Sequence, residues 1–337
     1  MGELSGKASQ FETRVELEIN VKILMPEFVL PLLERRACTE LDECEIVAID
    51  SAGEIDGNAA GTEIVMLPWD LPPETVKRIL TLPTVRWVHT VTAGTEHALQ
   101  ALDPKQEVLI TNAQGVFDVP IAEMVLTYIL VIAKQMREFW AQQEAHAWHM
   151  LRLREVALLS VGIVGLGSIG SQIARRCKAL GMKVLATRRR PERGSDVADK
   201  VLGPTQLPDL LAAAHFVVIA APLTPETRDL IDHQALRAMR PDAWLINIAR
   251  GAIVNEAALL EALQAGWIGG AALDVFEEEP LPSDSPLWDL PNVILTPHNA
   301  WSTPLLKQRE AELFLDNLER YLHDTPLRNI VDPSRGY

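Results

Sequence analysis

Cysteine is nearly absent: Cys38, Cys44 and Cys177 are the only three in 337 residues. Three scattered thiols give no disulfide framework, so the fold must rest on a hydrophobic core, and a reducing cytoplasm is the expected home. Aromatic residues are also scarce, at 5%, although hydrophobic residues as a whole make up 48%. The core is therefore aliphatic, and the chain is long enough for two domains. Positive charge is in deficit, with 31 Lys and Arg against 46 Asp and Glu, for a formal net charge of −15. That balance argues against nucleic-acid or anionic-membrane partners. Long apolar runs are missing too. The stretch Met124 to Ala133 falls short of the ~20 residues needed to cross a bilayer and reads as a buried helix. The first twenty residues carry Glu3, Glu12, Glu16 and Glu18 and do not read as a secretory signal. Neither an internal repeat, a low-complexity segment nor a metal site is expected.

Glycine, by contrast, is concentrated where it matters. Gly165-Leu166-Gly167-Ser168-Ile169-Gly170 follows the apolar run 158–164. In such a motif Gly165 allows the tight turn, Gly167 lets backbone N–H groups approach phosphates, and Gly170 lets helix and strand pack closely. The helix that begins there turns its free donors and positive dipole end toward the anion. Ile169, Ile173, Cys177 and Leu180 recur on one helical face, and Gly181 stands at the C′ position. A second apolar run, Met182 to Thr187, completes a βαβ unit that predicts a dinucleotide site.

An acidic residue about 20 positions past the glycines would take the ribose 2′-hydroxyl of NAD. Arg188-Arg189-Arg190-Pro191 stands there instead. Guanidinium groups bind a 2′-phosphate bidentately, so Arg188 and Arg189 predict NADP(H) over NAD(H).

Short β-branched runs before the glycine motif, at 21–25, 45–49, 63–67, 85–91 and 108–111, with a helix at 73–82, predict a small parallel α/β domain. Asp118 reads as the N-cap, with Pro120 in the first turn, of a long helix reaching about Met136. Apolar residues surround that helix almost completely, so the rest of the chain or a second subunit must cover it, and a homodimer is expected. After the motif come strands at 216–220, 244–248, 271–275 and 293–296, with helices at 226–239, 256–264 and 304–322. Counting the two strands of the βαβ unit, six strands predict a doubly wound sheet.

Arg250, Glu279 and His298 each stand just after a strand of that second half. Loops beyond the carboxyl ends of strands line the ligand crevice of an open α/β sheet. An arginine there grips a carboxylate and polarises a carbonyl. A histidine delivers the proton, and a carboxylate holds its ring and favours the cation. That set is what reduction of a 2-oxo acid requires.

These residues carry a resemblance. Gly165 to Gly170, Leu245 to Gly251, Leu273 to Pro280 and Leu295 to His298 resemble the D-isomer-specific 2-hydroxyacid dehydrogenase family, from about Val21 onward. The resemblance implies a Rossmann-type cofactor domain (118–303) inserted in a smaller flavodoxin-like substrate domain (1–117 and 304–337). It implies Arg250, Glu279 and His298 as the catalytic set, with Glu279 as partner of the histidine. The backbone of Ala93 and Gly94, with Arg250, would bind the substrate. Gly165, Gly167, Ser168, Ile169 and Gly170 would meet the pyrophosphate. Pro222, Thr227, Ile248, Ala249, Arg250, Asp274 and His298 would line the cofactor cleft, with Asp274 at the nicotinamide carboxamide. Two departures stand out: Arg188 replaces the usual acidic residue, and Asp118 replaces a small hydroxyl residue near the phosphates. A formate-dehydrogenase-like enzyme is the nearest rival, though such enzymes tend to carry glutamine where Glu279 stands. A dinucleotide-sensing scaffold is the non-enzymatic one.

Overall fold

Alternating strands and helices need both faces of a parallel sheet covered, and this chain builds two such sheets. The computed structural model describes residues 21–33, 44–102 and 106–333; Cys38 and the four N-terminal glutamates lie outside them. The first sheet contains β1 (Lys22–Pro26), β2 (Glu45–Ile49), β3 (Ile55–Asp56), β4 (Ile64–Leu67), β5 (Trp87–Thr90) and β6 (Leu109–Thr111). Their spatial order is β3-β2-β1-β4-β5-β6. Without β3 this is the flavodoxin-like 2-1-3-4-5 order. The expected all-parallel sheet needs one correction: β3 pairs antiparallel on the edge of β2, and at two residues it is too short to show any periodicity. Helices α1 (Leu30–Leu33), α2 (Pro73–Leu80) and α3 (Glu96–Ala101) belong to this half.

The second sheet contains β7 (Ser160–Val164), β8 (Lys183–Thr187), β9 (Lys200–Leu202), β10 (Phe216–Ile219), β11 (Trp244–Asn247), β12 (Gly270–Leu273) and β13 (Val293–Leu295). All are parallel, in the order β13-β12-β11-β10-β7-β8-β9. Read from the other edge this is the Rossmann order 3-2-1-4-5-6 with one strand added. There are seven strands rather than six, because the three-residue β9 gave no pattern to read. The helices of this half are α4 (Asp118–Ala133), α5 (Met136–Glu144), α6 (Ser168–Ala179), α7 (Leu207–Ala213), α8 (His233–Ala238) and α9 (Glu256–Gln264), and α10 (Leu306–Leu322) follows the last strand.

Two helices differ from the sequence reading. The helix from Asp118 ends at Ala133 rather than Met136, where Gln135 takes a left-handed φ of 48°, and α5 leaves at a bend of 63°. The helix expected from Glu226 starts only at His233, with the Asp232 side chain accepting from Ala235 N–H as its N-cap. The preceding residues are held as turns instead: Thr227 Oγ donates to Pro222 O at 2.7 Å, and Asp229 has φ 52°.

Helix α6 ends as its glycine predicts. Gly181 has φ 79°, its N–H donates to Lys178 O, and Met182 N–H donates to Cys177 O, which is a Schellman closure. Cys177 is fully buried, and burial pushes its thiol up to about 12, so it is a small core residue rather than a reactive one.

The C-terminal segment returns to the first sheet. Ala311, Phe314, Leu315 and Leu318 of α10 join Ile23, Met25, Ile64 and Trp87 in one core cluster. The Trp87 ring stacks on Phe314 and on Tyr321, each with centroids 5.4 Å apart. Ile330 bridges Thr111, and Asn329 Nδ2 donates to Asn112 O. Trp87 is thus core, Pro68 is buried, and Trp69 is 64% exposed. Among the described residues no single helix is long and apolar enough to span a membrane.

Candidate active site

The glycine cradle is built as its spacing requires. Gly165 has φ 102°, and a Cβ on it would lie 2.7 Å from Ala221 N. A Cβ on Gly170 would lie 2.1 Å from Gly165 O, so only glycine lets α6 approach the strand. A Cβ on Gly167 would meet nothing within 4 Å. The backbone there is open, and a phosphate can come close to the free donors at the start of α6. These residues fit a dinucleotide pyrophosphate. Ile169 packs partly on the α4 cluster, and the Ser168 hydroxyl donates to Asp118 Oδ2.

Asp118 is not the N-cap of α4. Phe117 holds that position without a side-chain cap, and Asp118 is the first helical residue. Its carboxylate turns to Ser168 and is buried, which raises its titration above the usual carboxylate range; hydrogen bonds from Ser168 and Gly115 and the charge of Arg176 oppose the rise. At the end of β8, Arg188 donates to Gly194 O at 3.2 Å. Arg189 is exposed; Glu226 is held below the usual carboxylate range mainly by a hydrogen bond from Thr224, with the Arg189 charge adding a smaller part.

Beyond the carboxyl ends of β11, β12 and β13, three adjacent loops are fastened together. Asn247, 1% exposed at the end of β11, accepts from Ala249 N–H and donates to Arg250 O, so one buried amide shapes the turn that presents Arg250. Ile248 is buried and Ala249 half-buried in this turn. Gly251 follows, and a Cβ there would lie 1.9 Å from the carbonyl carbon of Phe276. The Arg250 turn and the segment leading to Glu279 therefore touch backbone to backbone.

Glu279 points inward from that segment. Its Oε1 accepts from Phe276 N–H at 2.9 Å and its Oε2 lies 2.7 Å from His298 Nδ1. Among the acidic trio, Glu279 is the one whose carboxylate reaches the histidine. Side-chain exposures of 43% and 35% leave the pair open to solvent.

His298 sits on a backbone held in an uncommon conformation, φ 50°, a strain of order ~1–3 kcal/mol that the surroundings must hold. Asp274 does so. Its backbone oxygen accepts from His298 N–H at 2.8 Å. Its carboxylate, 2% exposed, accepts from Thr296 Oγ, Asn299 N–H and Ala300 N–H. Since Thr296 donates to Asp274, Tyr128 must donate its hydroxyl proton to Thr296, which ties the turn to α4. Burial pushes the Tyr128 phenol up to about 12, so it stays a donor. Sequence reasoning gave Asp274 a cofactor contact and missed this clamp, and it missed Asn247, Thr296 and Tyr128. The available signal was a polar residue closing an otherwise apolar strand.

In the first sheet, the turn after β5 carries Ala93 and Gly94. Thr92 Oγ donates to Gly94 O at 2.5 Å, and Asn112 Nδ2 donates to Ala93 O at 2.9 Å. Both carbonyls of the turn are thus engaged within the first half of the chain. Ala93 packs against the core cluster of α4 and the second sheet. Pro222 is exposed and Thr227 half-buried beside the cradle. Among the described residues, no three His, Cys, Asp or Glu side chains could hold a metal ion.

Residues 126–300 match the model of the D-isomer specific 2-hydroxyacid dehydrogenase family, NAD binding domain. Glycerate dehydrogenase of Methylorubrum extorquens is 31% identical over 290 residues, covering 83% of this chain and 88% of that one. A D-isomer specific 2-hydroxyacid dehydrogenase from Xanthobacter autotrophicus Py2, solved with NADPH and MES, superposes with a TM-score of 0.82 at 30% identity, covering 94% and 99% of the two chains. An NADPH-dependent glyoxylate/hydroxypyruvate reductase from Sinorhizobium meliloti, solved with NADP and sulfate, gives 0.78 at 27% identity, covering 94% and 100%.

The Gly251 contact predicts a coupled defect. Gly251→Ala must push the Arg250 turn away from the Phe276 backbone, at ~1–3 kcal/mol of overpacking. Its urea midpoint should fall and kcat should fall with it. Unchanged values for both would show that the two loops are not locked.

Proposed function

The chain belongs to the D-isomer specific 2-hydroxyacid dehydrogenase family and is an NAD(P)-dependent oxidoreductase, and we propose that it interconverts a small 2-oxo acid and its D-2-hydroxy acid with NADP(H) preferred over NAD(H). The observation that carries the reading is the 2.7 Å contact of His298 Nδ1 with Glu279 Oε2, on loops next to the Arg250 turn and beyond the strands of the cofactor sheet. In the reductive direction the nicotinamide supplies the hydride when bound. His298, its ring fixed through Nδ1, turns Nε2 to the substrate and gives its proton to the carbonyl oxygen. Glu279 stabilises the imidazolium before transfer. Arg250 grips the carboxylate and polarises the carbonyl, while the N–H groups of Ala93 and Gly94 take the remaining carboxylate oxygen. Residues up to 117 and from 304 form the substrate domain, and 118–303 the cofactor domain. Closure of the cleft would expel water from the solvent-open pair. Short 2-oxo acids such as glyoxylate and hydroxypyruvate are the first candidates, supported by the names of the Methylorubrum and Sinorhizobium relatives.

Replacing His298 by alanine should lower kcat by ~10²–10⁴-fold, the usual share of general acid catalysis. Glu279→Gln should move the falling limb of the reductive pH profile to lower pH, with cofactor affinity little changed. Arg250→Ala should raise KM for the 2-oxo acid as well as lower kcat. A wild-type pH profile in the Glu279 variant would overturn the pairing, and turnover of formate in place of 2-oxo acids would overturn the substrate class.

The NADP(H) preference rests on Arg188 and Arg189 and is consistent with the NADPH and NADP complexes of the two solved relatives. Charge-assisted hydrogen bonds to a 2′-phosphate are worth ~1.5–3 kcal/mol each. Neutralising both arginines should therefore remove most of the discrimination in kcat/KM. Equal kcat/KM for NADPH and NADH in the unmodified enzyme would refute the preference.

A homodimer in the cytoplasm completes the proposal. Leu130 on α4, Trp140 on α5, and Trp148, Met150, Leu153 and Leu158 beyond them are exposed, Trp148 and Met150 by 94% and 96%. Six large apolar side chains exposed within residues 130–158 call for a partner, and a second copy supplies the same residues. Sedimentation at micromolar concentration should give about twice the chain mass; a monomer would refute it.

A further inference from the structure

Asp118 brings a carboxylate to the first residue of α6, the helix whose N-terminus would face the cofactor's pyrophosphate. Ser168 opens α6, the helix whose first N–H groups face the open Gly167 backbone. Its hydroxyl is spent on Asp118 Oδ2. The two helices pack against each other through one apolar cluster. The carboxylate is 7% exposed, so water cannot screen it well.

We propose that Asp118 is a resident anion at the pyrophosphate site and couples dinucleotide binding to the uptake of a proton, so that the enzyme holds its cofactor more tightly as pH falls. An ionised Asp118 takes the Ser168 proton and part of the positive field of α6, both of which the pyrophosphate would otherwise use. It would also repel bound phosphates, in surroundings where water screens the charge poorly. Protonation removes the repulsion and turns Asp118 from an acceptor into a donor, with no bond made or broken other than O–H.

The surroundings move the carboxyl's titration above the ordinary carboxylate range. Burial is the largest influence and raises its titration; the Ser168 and Gly115 hydrogen bonds and the Arg176 guanidinium, on α6, lower it. Arg176 is the charged group among the described residues that acts on it, and that guanidinium is shared with Gln172, whose Oε1 it reaches at 2.6 Å. Arriving phosphates push the titration further up. For each unit of that further rise the ionised protein binds tenfold more weakly than the protonated one.

Adenosine diphosphate ribose is the probe of choice. It carries the pyrophosphate but no nicotinamide to report on His298 and no 2′-phosphate to titrate. Calorimetry from pH 4 upward to pH 8, in two buffers of different ionisation enthalpy, should show proton uptake on binding at the acid end and an affinity that falls as pH rises from there. Asp118→Asn and Asp118→Ser should bind with no proton uptake, on a flat pH profile, and about tenfold more tightly at pH 8.

A second readout needs no cofactor. A carboxyl whose titration is raised by folding destabilises the native state as pH climbs from the unfolded value through the folded one. The Tm advantage of Asp118→Asn over the parent should therefore be small at low pH, grow across that window and stay constant above it. Tight binding of the probe by the unmodified protein without proton uptake, and with the affinity of Asp118→Asn, would overturn the proposal while leaving the dinucleotide site intact.

Discussion

The buried carboxylate of Asp274 is the constraint on which the loops beyond the cofactor-domain strands depend. One side chain accepts three hydrogen bonds from a turn of five residues, and its own carbonyl takes a fourth from His298. Charge-assisted bonds of this kind are worth more than neutral ones, which explains how a histidine is kept at φ 50°. A parallel sheet fixes where the ends of β11, β12 and β13 lie, but not which way the side chains beyond them point. That direction comes from the polar groups that close each strand: Asn247 for the Arg250 turn, Asp274 for the His298 turn, and Glu279 for its own segment. The Thr296–Tyr128 chain then connects the histidine turn to α4. The helix that fills the apolar core thus also carries the rigidity of the site.

Much of the architecture could be read from residues because each signal had one physical cause. Three glycines in G-x-G-x-x-G each forbid a Cβ or open the backbone for a separate reason, and the strand on either side leaves little room for another reading. Helix α9 was legible to its ends, since Asn255 caps it and Gly266 takes φ 68° just past it. Other elements were not. A two-residue β3 and a three-residue β9 contain no repeat at all. The break at Gln135 uses a left-handed residue that is not glycine, so its sequence carries no warning. Residues 226–232 have helical periodicity, yet the hydroxyl of Thr227 captures the backbone before a helix can form.

The site divided in the same way. Residue types at strand ends pointed to Arg250, Glu279 and His298, and the distance from Glu279 to the ring is something only the fold supplies. The positioning residues behind them were harder to find. Asn247 and Thr296 are ordinary polar residues, and their importance comes from a burial that no local pattern encodes. Asp118 is the instructive case. Its place before an apolar helix reads as a cap, but capping is a competition. Here the hydroxyl of Ser168 on α6 takes the carboxylate that the helix's own N–H groups would have received.

Charge is arranged along the dinucleotide path with unequal signs. A chain of net charge −15 repels a cofactor that is itself an anion, and screening over ~8 Å at physiological salt removes most of that long-range cost. What remains is local. In the proposed reading the three arginines at 188–190 would meet the 2′-phosphate that distinguishes NADP from NAD. Asp118, bonded to the first residue of α6, would meet the pyrophosphate that both cofactors share. A cation cluster at a group that differs between the two cofactors changes discrimination. An anion at a group they share changes affinity for both alike. On that reading the two features would act on separate properties, and weaker shared contacts would leave the enzyme more dependent on the arginines for its hold on the cofactor.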